Sequence, residues 1–238
     1  MIDMQKRKIV FFTGAGMSAE SGLPTFRDSD GLWHNHKPSE VASKEAWEKS
    51  PEMVTEFYNE RRRKLCECEP NEGHRIIAQL EKDYEVTVIT QNIDNLHERA
   101  GSTTVKHLHG ELMKVRSSLN RKTDVRTLTK DNCIVPPGTL ASDGSLLRPD
   151  VVMFGESVPA ILEAGIIASN ADLLIIVGTS LTVSPAKDIV ECADRLTKII
   201  QINPKPVEFD VDSACYVLET GAVEGLQALV EILKSGEI

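Results

Sequence analysis

The most apolar stretch of the chain, Ala171 to Val177 (ADLLIIV) running into Gly178, constrains the fold more than any other feature. A strand with one wet face alternates apolar and polar residues. An unbroken apolar run of this length instead suits a strand covered on both sides, as in a parallel sheet. Lys8 to Thr13 is a second such run, and Tyr84 to Thr90, Val105 to His109, Lys198 to Ile202 and Ala214 to Leu218 supply further strand candidates. Helical spacing lies between them at Glu72 to Lys82, Ala160 to Asn170, Ala186 to Leu196 and Val223 to Lys234, the last with Leu226, Leu229, Val230 and Leu233 on one face. Strands alternating with helices predict an α/β fold, a Rossmann-like doubly wound parallel sheet.

Two stretches break the alternation. Residues from about 28 to 70 show no strand pattern but contain an amphipathic helix, Pro51 to Leu65, with proline in its first turn. Residues from about 112 to 150 are polar, with turn signals at Pro136-Pro137-Gly138 and Asp143-Gly144-Ser145. At about 150 residues per domain, 238 residues leave one large domain with an insertion and two domains equally open. The expected division is a Rossmann-like part over about 1–27, 71–111 and 151–238, with a smaller domain built from the insertions 28–70 and 112–150.

With 27 basic against 36 acidic residues the net charge is −9, which argues against a general nucleic-acid or anionic-membrane binder. No stretch approaches the roughly 18 apolar residues of a membrane span. Lys6-Arg7-Lys8 followed by Ile9 to Phe12 has the flavour of a signal peptide, but the apolar run stops after four residues and reads as a first strand. Five cysteines, odd in number and irregular in spacing, make a disulfide framework improbable and point to a reducing cytoplasm.

Gly14-Ala15-Gly16-Met17-Ser18-Ala19 follows the first strand and fits G-x-G-x-x-G/A, in which small residues admit a pyrophosphate to a helix N-terminus. A plain tight turn is the alternative. A dehydrogenase would carry an acidic residue about 20 positions on, after a second strand; here that position falls in the strandless insertion, which weakens hydride transfer. Gln91, Asn92, Ile93 and Asp94 lie beyond the carboxyl end of a strand, where such sheets bind ligands, although Asx turns capping a helix would look alike. Gly178-Thr179-Ser180 has the same placement, with a helix N-cap as its alternative. His109 ends a short strand, and imidazole can remove a hydroxyl proton near neutral pH; His97 competes for that role.

Taken in order, Gly14-Ala15-Gly16 through Ser18, Ser21-Gly22, Pro24 and Phe26-Arg27, then Thr90 to His97, His109-Gly110, Leu147 to Val152 through Phe154-Gly155-Glu156, and Gly178-Thr179-Ser180 resemble a sirtuin, an NAD-dependent protein lysine deacylase. The resemblance runs over nearly the whole chain and is strongest to the bacterial class III sirtuins. It implies NAD as co-substrate and acyl-lysine proteins or peptides as substrates, with nicotinamide and O-acyl-ADP-ribose as products. It assigns the base to His109, the nicotinamide ribose to Asn92 and the carboxamide to Asp94. The cofactor would lie on Gly14, Ala15, Gly16, Ser18, Gln91, Asn92, Ile93, Asp94, Gly178, Thr179, Ser180, Asn203 and Ala222, with Phe26 and Arg27 shielding and organising it. A core phenylalanine and a surface arginine are the plainer readings of that last pair. Val152, Phe154, Gly155 and Glu156 would offer the edge to which an extended peptide adds as a strand.

Tyr58 and Arg61 stand three apart and so share a helix face. Arg61-Arg62-Arg63-Lys64 could be a solvated basic run, but Tyr-x-x-Arg matches the class III pair for a negatively charged acyl group, so succinyl- or malonyl-lysine is expected, with acetyl-lysine still accepted. The chain departs from the family over metal. Most sirtuins carry a structural zinc on two cysteine pairs in the region matching residues 115–147, and here Cys133 is the only cysteine there, with Ser117-Ser118 where thiols would begin. Cys66 and Cys68 have the wrong spacing, so no zinc and no metal ligands are expected. A cytoplasmic monomer, with no nucleic acid and no membrane among its partners, completes the expectation. The rival readings are a mono-ADP-ribosyltransferase or NAD glycohydrolase using the same pocket, and a non-enzymatic NAD-binding regulator, which would have no need of the base.

Overall fold

The structure is a computed structural model and describes residues 6–24, 37–208, 215–236 and 238. Its strands are β1 (Lys8–Thr13), β2 (Glu85–Thr90), β3 (Val105–His107), β4 (Gly110–Ser117), β5 (Arg126–Thr127), β6 (Leu147–Val151), β7 (Leu173–Val177), β8 (Lys198–Ile202) and β9 (Cys215–Leu218). Its α-helices are α1 (Gly16–Ala19), α2 (Pro38–Val41), α3 (Lys44–Lys49), α4 (Pro51–Glu67), α5 (Glu72–Leu80), α6 (Leu96–Ala100), α7 (Ile161–Ser169), α8 (Asp188–Glu191) and α9 (Ala222–Ser235). Six strands form one sheet in the order β3-β2-β1-β7-β8-β9, and every neighbouring pair is parallel. The fold is α/β and Rossmann-like.

The unbroken apolar runs have their reason in two cores. Ile9, Phe11, Leu173 and Ile175 face Ile77 of α5 and Leu226 and Leu229 of α9. Their neighbours Val10, Phe12, Leu174 and Ile176 face Ala164 and Ala168 of α7 and Ile189 and Val190 of α8. Because the chain winds from β1 outward to β3 and from β7 outward to β9, the direction of winding reverses between β1 and β7. A cleft opens outside the carboxyl ends at such a switch point.

The other sheet is antiparallel, ordered β5-β4-β6, and it places strands in the segment at 112–150 that the sequence marks only as polar and rich in turns. The register of β4 against β6 shifts between Glu111 and Val115, so Leu112 and Met113, adjacent in sequence, are both buried. A bulge of this kind erases the period-two alternation by which a strand is read. This sheet also buries charge. Arg116 donates to Asp150 at 2.8 Å, and Arg148 grips Glu156 with bonds of 2.7 and 3.2 Å. Helix α4 packs Val54, Phe57, Tyr58 and Leu65 against Leu112, Met113 and Val151. Arg62, in a run that could have been solvated, is wholly buried and donates to the Leu112 carbonyl at 2.8 Å and to Asn59 at 3.0 Å.

The helix expected over 186–196 shortens to α8, since Asp194 turns back to accept the Leu196 amide and leaves Leu196 90% exposed. Among the described residues no helix is long and apolar enough to cross a membrane.

Candidate active site

Two glycine loops form the floor of the cleft. The Gly14 amide donates to Val177 at 3.0 Å and that of Gly16 to Gly178 at 2.8 Å, which locks the loop after β1 onto the loop after β7. A Cβ on Gly16 would stand 2.7 Å from the Gly178 Cα, and Gly178, at a φ of 62°, would press any side chain onto the Met17 amide. Only bare backbone fits there, and it leaves room for a ligand to lie against it.

The loop after β2 is tied to this floor by polar bonds. The Asn92 amide group donates to the Gly14 carbonyl at 2.9 Å and to Ser18 Oγ at 3.2 Å, while Ser18 donates to Asp94 at 3.0 Å. Asp94 also accepts the Leu96 amide at 3.1 Å; burial pushes its carboxyl above the usual range, against the pull of these two bonds. Gln91 donates to Thr179 Oγ1 at 2.8 Å, and Asn203 donates to the Thr179 carbonyl at 2.9 Å. Ala222 opens α9 at the same end of the sheet.

His109 lies in the two-residue link between β3 and β4, where the large sheet gives way to the small one. Its Nδ1 sits 2.9 Å from the Gln91 carbonyl. A carbonyl can only accept, so Nδ1 carries a proton, and the neutral ring keeps its lone pair on Nε2. Burial lowers its pKa, the Gln91 bond opposing, which keeps the ring neutral at neutral pH. His97 is 1% exposed, holds Thr13 Oγ1 at 3.2 Å from Nε2, packs on His74 and does not reach the cleft.

The cleft has a volume of about 1520 Å³. Every described residue expected at the cofactor and substrate sites lines it, from Gly14, Ala15, Gly16 and Ser18 through Ile93 and Ser180 to Asn203 and Ala222. Phe26 and Arg27 lie outside the described residues. Tyr58 and Arg61 reach the cleft from α4, and Val152, Phe154, Gly155 and Glu156 from the segment after β6. The Arg61 guanidinium stacks 3.6 Å from the centre of the Phe57 ring. Burial lowers its pKa to about 10 and raises that of Tyr58 to about 12, so at neutral pH the first is a cation and the second a neutral phenol. The Glu156 carboxylate is committed to Arg148 and to the Met153 amide at 3.0 Å, and its own amide donates to the Met153 carbonyl at 3.0 Å. Phe154 already exchanges backbone bonds of 2.9 Å with Ala42 and Lys44.

Sequence reasoning placed Arg148 and Glu156 in one block but missed that they pair, and it missed the clip in which Asn59 exchanges bonds of 2.8 and 3.0 Å with Val135. The i, i+3 spacing of Asn59 and Arg62 was the one available signal. The free thiols of Cys66 and Cys133 meet in the core beneath α4, where burial and their mutual hydrogen bond raise the pKa of Cys66 to about 11.

The Sir2 family profile matches residues 14–185. An NAD-dependent protein deacylase of Bacteroides thetaiotaomicron is 46% identical over 229 residues, covering 95% of this chain and 98% of its own. A solved Sir2 homologue in complex with ADP-ribose has a TM-score of 0.86 at 38% identity, covering 97% of this chain and 93% of that one. A Sir2 structure with a deacetylated p53 peptide and 3′-O-acetyl ADP-ribose reaches a TM-score of 0.81 at 32% identity, covering 95% and 93%. With its glycine loops, its polar loop after β2 and its cleft-facing histidine in that frame, the chain belongs to the Sir2 family.

Proposed function

We propose that this chain, an NAD-dependent protein deacylase like the relatives it matches, removes acetyl and preferentially succinyl or malonyl groups from lysines of proteins or peptides, yielding nicotinamide and O-acyl-ADP-ribose. One observation carries the acyl preference: Tyr58 and Arg61 open onto the same cleft as His109 and the glycine loops. A forked cation beside a neutral phenol suits a distal carboxylate, and this is the ground for a class III assignment.

NAD fits the bare loops Gly14 to Gly16 and Gly178 to Ser180, with Asn203 and Ala222 closing the far end. When bound it supplies the electrophilic ribose carbon. Asn92 and Asp94 orient the nicotinamide end, and the Nε2 of His109 accepts the proton of a ribose hydroxyl. Closure of the site around these groups excludes water, which would otherwise hydrolyse the activated ribose. The peptide is placed along Val152 to Glu156, pairing with backbone groups that the bonds to His109, Ala42 and Lys44 do not use. The insertions 28–70 and 112–150 act as a small domain held without zinc, by the Asn59 clip, the buried arginines and the core under α4. Five free cysteines suit a reducing cytoplasm, where we place the protein as a monomer with no nucleic-acid or membrane partner.

Incubation with NAD and a panel of acetyl-, malonyl- and succinyl-lysine peptides, followed by mass spectrometry, tests the reaction and the acyl class together. O-acyl-ADP-ribose formed fastest from the acidic acyl groups supports the reading. ADP-ribose or ADP-ribosylated protein formed without any acyl-lysine would replace it with a glycohydrolase or ADP-ribosyltransferase.

A further inference from the structure

Behind the loop that carries Asn92, three side chains from three elements converge: Glu98 of α6, His107 at the end of β3 and Glu111 of β4. One ligand atom of each lies within 4.8 Å of the other two. We infer that Glu98, His107 and Glu111 form a binding site for a divalent transition-metal cation, with zinc as the representative ion. No motif marks the trio, and it uses none of the five cysteines.

Three atoms so spaced leave a point about 2.8 Å or less from each, and a shift of under about 1 Å in two flexible glutamates brings it to zinc–nitrogen and zinc–carboxylate bond lengths. One imidazole with two carboxylates is a donor set for zinc, cobalt or manganese. His107 is already oriented as a metal-bound histidine would be. Its Nδ1 donates to the Asn92 carbonyl at 2.9 Å, which fixes the ring and turns Nε2 toward Glu98 Oε1 at 2.8 Å. A backbone carbonyl on the far nitrogen is the usual outer support of such a ligand. The His107 side chain is 6% exposed while those of Glu98 and Glu111 are 38% and 30% exposed, so the imidazole is held and the carboxylates face the entry path. Lys114, whose ammonium lies 2.6 Å from Glu111 Oε1, now supplies the positive charge there and can swing into solvent. On binding, the Nε2 lone pair passes to the metal and the proton it held toward Glu98 leaves to solvent. An ion in this place pins β4 to α6 across the junction of the two sheets.

The test is calorimetric titration of the full, untagged chain, stripped with chelator and desalted, with zinc chloride, and an optical titration with cobalt. One ion per chain should bind, with weak visible cobalt bands and no thiolate charge transfer. His107→Gln and Glu111→Gln should each weaken binding by more than about 10-fold, at least the loss expected of an outer partner. Glu111 bonds the ammonium of the half-buried Lys114 and no core group, so its variant remains a fair test if His107→Gln does not fold. Absence of binding up to about 1 mM zinc, affinity unchanged in the variants, or a thiolate band would overturn the site.

Discussion

In the six-stranded sheet, Phe11, Phe12, Ile175 and Ile176 are wholly buried among apolar neighbours; in the three-stranded sheet, Arg116 at 3% exposure and Arg148 at 4% stand among the buried positions. The first region is held by a non-directional force that scales with area and tolerates exchange of one aliphatic side chain for another. The second depends on partners that must stay in place, because a buried charge that loses its counter-charge costs more than the intact pair contributes. One can therefore be read from hydropathy and the other cannot. His109 sits on the link that joins them, so the proposed chemistry draws a ligand floor from one region and a substrate wall from the other.

The largest effect should come at that link. His109→Ala should lower deacylation about 100-fold to 10,000-fold, the usual worth of a general base, with the melting temperature nearly unchanged. Near-normal turnover in the folded variant would remove His109 from the mechanism.

Next is the contrast between the sheets. Arg148→Met should cost about 3 kcal/mol by leaving the Glu156 carboxylate without its counter-charge, and Arg148→Met with Glu156→Leu should recover most of it. Ile176→Val in the parallel sheet should cost only about 0.5–1.5 kcal/mol. Urea unfolding of the three variants would contradict the contrast if the single arginine change proved the mildest.

Arg61→Met should lower kcat/KM on a succinyl-lysine peptide roughly 10-fold to 150-fold, the worth of a hydrogen bond to a charged group, and leave an acetyl-lysine peptide little changed. Equal losses on both would assign Arg61 to the fold or to the cofactor.

A smaller effect concerns acid. His74, 0% exposed, has its pKa pulled by burial to about 4, with the Arg75 charge acting the same way, and burial holds His97 well below its ordinary value. Between about pH 6.5 and 4 the unfolded chain binds protons that the folded chain refuses, so stability should fall as pH falls, by at most about 1.4 kcal/mol per pH unit for each histidine. Above pH 6.5 both states are neutral and this contribution is complete. His74→Leu should flatten the acid limb of a stability–pH curve, and an unchanged limb would assign it elsewhere. Smallest of all, a strong chelator should leave deacetylation unchanged, and any fall it causes in the melting temperature should disappear in Glu111→Gln, since the one cation site inferred is Glu98, His107 and Glu111 and none is proposed on the cysteines.

The parallel sheet was legible because its code is local. In β1 and β8 the expected limits and those found coincide, since β1 is an apolar run between Lys8 and Gly14 and β8 an isoleucine-rich run between Lys198 and Asn203-Pro204. Gly14, Asn92, His109 and Gly178 stand at strand ends, so placing the strands placed them. The small sheet was not legible, because the β4 bulge cancels alternation and its buried arginines look like surface residues until Asp150 and Glu156 are seen beside them. Helix α6 is only five residues long, too short for a period to emerge.

The contact between the loops after β1 and β7 also bears on how this chain can vary. Gly16 and Gly178 face one another with no space for a methyl group between them, so neither loop can gain a side chain at that point unless the other retreats. Substitutions at the two positions should be strongly non-additive, as expected of residues in direct contact. Descendants of this sequence can alter the cleft wall around Tyr58 and Arg61 one residue at a time, whereas its glycine floor changes only by coordinated steps.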